Sequence, residues 1–328
     1  MKFYLLTILL VPFVNLKAVS IDSIISQGVV LHDKGNFRGA IALFKQALDI
    51  DSLSYQANYE MSYSLFALKQ NDSSLKYAEK ATHCTTTDGS SAYLQWGMLL
   101  DIKKKPDQVI RIYKEGIAHY SSSCLLYNSL ATAYINKALF DSALQTITVA
   151  THLTKNHPST YFTFATLSYK KGNLCESMLG FMYFLLLDSK SERADNARKC
   201  LSAIWNSLAK RKDAKNYIIS LPSQSNEDKK NAFTLGIAAS IANRMAPAKE
   251  DNYTFAYNTI RESAELAGNL HFADYTTFYA ALVNKEYVEV FARILAKQFD
   301  PEQGEKWIRD NSRIVSRFSM WFNGEYSK

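Results

Sequence analysis

The sequence predicts an all-α fold, a solenoid of helix-turn-helix units followed by a C-terminal helical segment. Three observations predict it. Stretches beginning at Ile21, Tyr55, Ser90, Cys124 and Pro158 align at spacings of 34, 35, 34 and 34 residues. Small residues recur at fixed offsets within them, such as Gly28 and Ala40 in the first and Ala131 and Ala143 in the fourth. Glycine and proline are scarce, 12 and 6 in 328 residues, and sit mostly at turns. A period of this length marks stacked helical hairpins, each of which buries its apolar face against its neighbours.

Residues 1–20 read as a secretory signal peptide. Met1-Lys2 starts positive, Phe3 to Leu16 is almost wholly apolar, and Ala18-Val19-Ser20 sets small residues before a cut after Ser20. The apolar run is too short to span a bilayer comfortably and Pro12 interrupts it. No cysteine follows it, so a bacterial lipid anchor is not expected.

Residues 21–190 divide into five units, 21–54, 55–89, 90–123, 124–157 and 158–190. Each reads as helix A, a tight turn and helix B. In the first, Gly35-Asn36-Phe37 turns the chain, and Ala40, Phe44 and Ala47 follow on one face. The third repeats this with Gly97, Val109, Tyr113 and Gly116, and Pro106 opens its second helix, where a missing amide hydrogen costs little. The fourth carries Ala131, Tyr134, Ala143, Ile147 and Ala150, and the fifth Ala165, Gly172-Asn173-Leu174, Ser177 and Phe181. The second is divergent, with Ser62, Leu65, Ser74, Ala78 and Ala81 around a polar turn at Gln70-Asn71-Asp72. The apolar run Met178–Leu187 is too short for a membrane and reads as a buried helix.

Residues 191–225 read as a degenerate sixth unit. Leu201, Ile204, Trp205 and Leu208 form its apolar stripe, and a short second helix stops at Pro222. Residues 226–328 are a C-terminal helical domain or cap. Helices are expected at Asn231–Met245, Tyr253–Ala267, Tyr275–Val283 and Lys285–Gln298. A last helix is capped by Asp300, has Pro301 at its first position and runs through Trp321.

The stretches Lys34–Asp51 (KGNFRGAIALFKQALDID) and Lys170–Asp188 (KKGNLCESMLGFMYFLLLD) resemble the tetratricopeptide repeat family, as do the five units together. The resemblance covers just over half of the chain. It implies a right-handed superhelix whose A helices line a concave groove for peptide segments or partner proteins. The family's groove positions, the second, fifth, ninth and twelfth of helix A, imply Tyr59, Tyr63 and Phe66, then Leu94, Met98 and Asp101. They next imply Leu125, Asn128, Thr132 and Ile135, and finally Phe162, Thr166 and Tyr169. No Lys or Arg stands at a fifth or ninth position, so the chain departs from members that clamp a C-terminal carboxylate. Asn128 is expected to bond a bound peptide backbone with both donor and acceptor.

The chain further resembles exported tetratricopeptide proteins of Bacteroidetes bacteria. Asp22-Ser23-Ile24, Asp51-Ser52-Leu53 and Asp141-Ser142-Ala143 match an O-glycosylation pattern of such proteins, though Asp-Ser also suits a helix start.

Composition excludes several functions. With 47% hydrophobic and 21% charged residues the chain can bury a core. The six histidines stand in no metal-binding spacing, and HExxH, GxSxG and a glycine-rich phosphate loop are absent. No catalytic residue, metal or cofactor is expected. Cys84, Cys124, Cys175 and Cys200 contain no CxxC and read as unpaired thiols. Nucleic acid is not an expected partner of a chain without a recognition motif. Residues 190–215 carry eight Lys/Arg against three Asp/Glu.

The expected function is therefore a non-catalytic scaffold or adaptor in the periplasm or cell envelope. It would bury a peptide or protein segment with few charge contacts, and hence weak salt dependence. One alternative is docking of the basic stretch, through Lys199, Lys210, Arg211 and Lys212, on an anionic lipid or glycan. Another is an enzyme within the C-terminal helices. The sequence is silent on oligomeric state.

Overall fold

Each of the five aligned stretches begins a helix: α1 (Ile21–Asp33), α3 (Tyr55–Ala67), α5 (Ser90–Ile102), α7 (Cys124–Asn136) and α9 (Pro158–Lys170). A second helix follows each: α2 (Phe37–Ile50), α4 (Asn71–Thr82), α6 (Pro106–His119), α8 (Phe140–Leu153) and α10 (Leu174–Leu187). The fold is the tetratricopeptide type of helix-turn-helix. The computed structural model describes residues 20–84, 88–211, 217–219, 236–237, 251–270 and 277–326. The signal segment before Ser20, the expected helix Asn231–Met245 apart from Gly236 and Ile237, and the stop at Pro222 lie outside the described residues.

One turn joins every A helix to its B helix. Its left-handed residue is Gly35, Lys69, Lys104, Ala138 or Gly172, at φ of 76, 60, 55, 57 and 78°. In the fourth unit the Ala138 amide returns to the Ile135 carbonyl and the Leu139 amide to Tyr134, both at 2.9 Å. These bonds satisfy carbonyls that a helix end otherwise leaves open. The small residues serve close approach. A Cβ on Gly28 would lie 2.4 Å from the fully buried Phe44 ring.

Side-chain caps fix several helix starts. Ser20 accepts from the Ser23 amide, Asn36 from Gly39 and Ser54 from Ala57. Of the three Asp-Ser pairs, Asp22 and Asp141 lie in the first turns of α1 and α8, but Asp51 is the C-cap of α2.

The chain forms two compact units, Met1–Lys105 and Pro106–Lys328. The first has a core of Ile24, Ile25, Phe44, Met61 and Leu65 with Ala40, Ala47 and Ala57. The second is organised around α10, in which every residue from Cys175 to Leu185 is buried. The apolar run of α10 is thus a core helix. Packed with it in one core are α9, α11 (Glu192–Leu208), α12 (Asn252–Leu270), α13 (Thr277–Asn284) and α14 (Val288–Ala296). Helices α15 (Pro301–Asp310) and α16 (Ser312–Trp321) and a π-helical turn (Phe322–Tyr326) complete it. The C-terminal helices bond directly to α10. The Tyr279 hydroxyl donates to the Leu179 carbonyl at 2.6 Å, and Gln298 Nε2 donates to the Leu185 carbonyl at 3.2 Å.

Three expectations need correction. At residues 209–211 and 217–219 the helix expected after α11 is replaced by strands, Ala209–Arg211 (β1) pairing antiparallel with Tyr217–Ile219 (β2). Tyr217-Ile218-Ile219 is an aromatic and β-branched run that suits a strand. The last helix is two. Asn311 leaves helical geometry at φ −116°, ψ 25°, and its side-chain amide donates to the Trp307 carbonyl at 2.9 Å. The helix expected from Lys285 begins at Val288, because Glu286 adopts a left-handed φ of 57°. Its amide returns to Val283 and that of Tyr287 to Leu282. This is the same turn that the five repeats use.

No helix among the described residues is long and apolar enough to cross a membrane.

Candidate partner-binding face

In the first unit the buried residues of α3 are Ala57, Asn58, Met61, Ser62, Ser64 and Leu65. Helical spacing leaves Tyr55, Tyr59, Tyr63 and Phe66 as a stripe on another face. The rings of Tyr55 and Tyr59 stack with centroids 5.8 Å apart and planes at 9°. Tyr59 and Tyr63 follow at 5.0 Å and 55°. Tyr63 is exposed, and Tyr59, Phe66, Leu94 and Met98 are half-buried. The Tyr59 hydroxyl shares hydrogen bonds with Tyr63 and with Ser91 of α5, and burial pushes its phenol well above the usual tyrosine range. Large aromatic surfaces with few rotors, half open to water, are the usual anchors of a protein interface.

Glu60 is half-buried on α3, and burial together with nearby Asp33 of α1 raises its carboxyl. Asp101 stands exposed near the end of α5. Sequence reasoning counted missing cations at this face and named Asp101 among its positions, but overlooked Glu60, which is equally legible. It likewise omitted Tyr55, which its spacing from Tyr59 by four residues signals.

In the second unit Asn128 is engaged within the fold. Its Nδ2 donates to Thr160 Oγ1 at 2.8 Å and to the Cys124 carbonyl at 2.9 Å, and lies 3.1 Å from Cys124 Sγ. Thr160, fully buried, also meets Asn128 Oδ1 at 3.1 Å and His157 Nδ1 at 3.0 Å. Both polar atoms of the Asn128 amide, expected to meet a bound backbone, thus have partners within the fold. Its amide joins α7 to the first turn of α9. Burial pushes the Cys124 thiol up and the His157 imidazole down. A thiol held protonated is a poor nucleophile.

Thr132 is exposed and donates its hydroxyl to the Asn128 carbonyl at 2.9 Å. Phe162 is half-buried against Phe184 and Phe181, with the Arg193 guanidinium 5.6 Å from its ring centroid. Tyr169 is exposed, and Thr166 keeps a buried hydroxyl without a hydrogen-bond partner among the described residues. Of the predicted groove residues in this unit, Leu125, Thr132 and Tyr169 are the ones open to solvent.

The basic stretch is partly engaged. Arg193 donates to Ser159 at 2.9 Å, and Arg198 pairs with Asp195 and donates to Gln298 at 2.8 Å. Lys199 is exposed on α11 and Lys210 and Arg211 belong to β1, while Lys212 lies outside the described residues. None of the four cysteines is paired in a disulfide among the described residues. Among the described residues no group of three His, Cys, Asp or Glu side chains is arranged to hold a metal ion.

No family profile matches the chain, and no curated protein matches it. Parts of it are similar to solved structures. YrrB, described as a tetratricopeptide protein with an unusual peptide-binding site, is 15% identical, covers 55% of this chain and 92% of its own, and has a TM-score of 0.43. For PilF of Pseudomonas aeruginosa the values are 16%, 57%, 90% and 0.48. For MamA of Desulfovibrio magneticus they are 13%, 52%, 97% and 0.44.

Proposed function

We propose that this chain is an exported, non-catalytic scaffold of the periplasm or cell envelope, its leader removed near Ser20, that holds a peptide or protein segment on its A-helix faces. The observation that carries the reading is the tyrosine stack. Three rings at 5.0 and 5.8 Å spacing stand on one helix face with Tyr63 open to solvent. Leu94 and Met98 extend the apolar surface on α5. Burying such a preorganised face contributes affinity without ordering new structure.

Affinity capture from an envelope fraction tests the proposal. The bait is the chain from Ile21 onward, run beside a Tyr59→Ala, Tyr63→Ala variant with an unchanged helical circular dichroism spectrum. A partner retained by the first and lost by the second supports the reading. Equal capture by both moves the site away from this face. Docking through the basic stretch is the weaker reading, because two of its arginines already have partners within the fold.

A further inference from the structure

Charge is segregated in the first unit. Its A helices α1, α3 and α5 carry Asp22, Asp33, Glu60 and Asp101 and neither Lys nor Arg. Its cations stand on the B helices and turns, at Lys34, Arg38, Lys45, Lys69, Lys76, Lys80 and Lys103 to Lys105. Lys103, the nearest in sequence to Asp101, is already paired with Asp72 of α4. Asp33, Glu60 and Asp101 have no ion-pair partner among the described residues. Glu60 is half-buried, and burial first and the negative charge of Asp33 second raise its carboxyl. Two like charges held together at a partly desolvated position are unfavourable in the free protein, and a cation placed beside them relieves that cost. On the same helix as Glu60, Tyr59 and Tyr63 carry aromatic rings, the other surface that attracts an ammonium or guanidinium.

We propose that the A-helix face of the first unit takes an extended peptide segment bearing lysine or arginine, its apolar part on Tyr63, Phe66, Leu94 and Met98 and its cations over the tyrosine rings beside Glu60 and Asp33. This rests on the reading of that face as the binding surface and adds the chemistry of its occupant. The carboxylates replace the expectation of weak salt dependence with a marked one. An acidic segment is disfavoured by the same groups.

The test uses the full chain and three fluorescein-labelled 12-residue peptides of identical leucine and serine content, with Lys, Gln or Glu at the four remaining positions. The Lys peptide is expected to bind about tenfold more tightly than the Gln peptide in low salt, the Glu peptide most weakly. The Lys advantage should disappear in high salt, where surface charges are screened. Glu60→Gln with Asp33→Asn should remove that advantage and leave binding of the Gln peptide unchanged. Tyr63→Ala should weaken both peptides. Equal binding of Lys and Gln peptides overturns the inference about charge while the binding face stands. Failure of all three peptides to bind overturns both.

Discussion

The ammonium of Lys137, the C-cap of α7, meets the carboxylate of Asp107 in the first turn of α6. The relationship recurs at the repeat period, Lys103 with Asp72 and Lys171 with Asp141. Each lysine sits at the negative end of an A helix and each aspartate at the positive end of the preceding B helix, so both also complement a helix dipole. The aspartates are largely exposed, 78 to 88%. Exposure limits each pair to about 0–1 kcal/mol. Lys137→Ala is expected to leave the urea midpoint nearly unchanged. A loss above about 2 kcal/mol in equilibrium unfolding would show the pair to be worth more than its exposure allows.

Asn128 should behave oppositely. Removing its amide takes the Asn128 hydrogen bonds from the buried Thr160 hydroxyl of the next repeat and leaves that hydroxyl its contact with His157. Asn128→Ala is expected to cost about 1–3 kcal/mol in urea unfolding. An unchanged midpoint would mean that these bonds are not formed in solution.

His157 sets a pH dependence. Burial holds its imidazole below the usual histidine value, so the folded state binds the proton later than the unfolded one as pH falls. The stability it contributes is present above about pH 6.5 and is lost as pH drops through that value toward the folded one. His157→Gln should flatten the Tm profile between about pH 7 and 5. Parallel profiles for the two proteins would place the titration elsewhere.

Gly268 of α12 permits a close approach to α13. A Cβ there would lie 2.6 Å from the Tyr279 carbonyl oxygen and 2.7 Å from Val283. Gly268→Ala is expected to cost about 1–3 kcal/mol by forcing the backbones apart. Gly324→Ala, with nothing within 4 Å, is the control and should be neutral.

The repeats were legible because their contacts demand small residues. In every unit a small residue precedes the left-handed turn residue by seven, as Gly28 precedes Gly35 and Ala131 precedes Ala138. The α13–α14 pair has the same turn at Glu286 but places Tyr279 seven before it and Phe291 five after it. Those two rings pack edge to face at 6.0 Å, so the close approach that marks the repeats is replaced by aromatic packing. A pattern of small residues therefore misses it. The tyrosine stripe was equally open to reading, since spacing by four puts side chains on one face. The engagement of Asn128 was not, because its partner Thr160 belongs to the next unit and helical register alone does not say which polar pairs meet.

The most direct measurement of the central claim is photo-crosslinking in the cell envelope from a benzophenone amino acid at Tyr63, on α3, or at exposed Lys76, on the B helix α4. The account predicts a discrete higher-mass adduct from position 63 and none from position 76. Adducts from position 76 alone would contradict it and place the partner on the B helices.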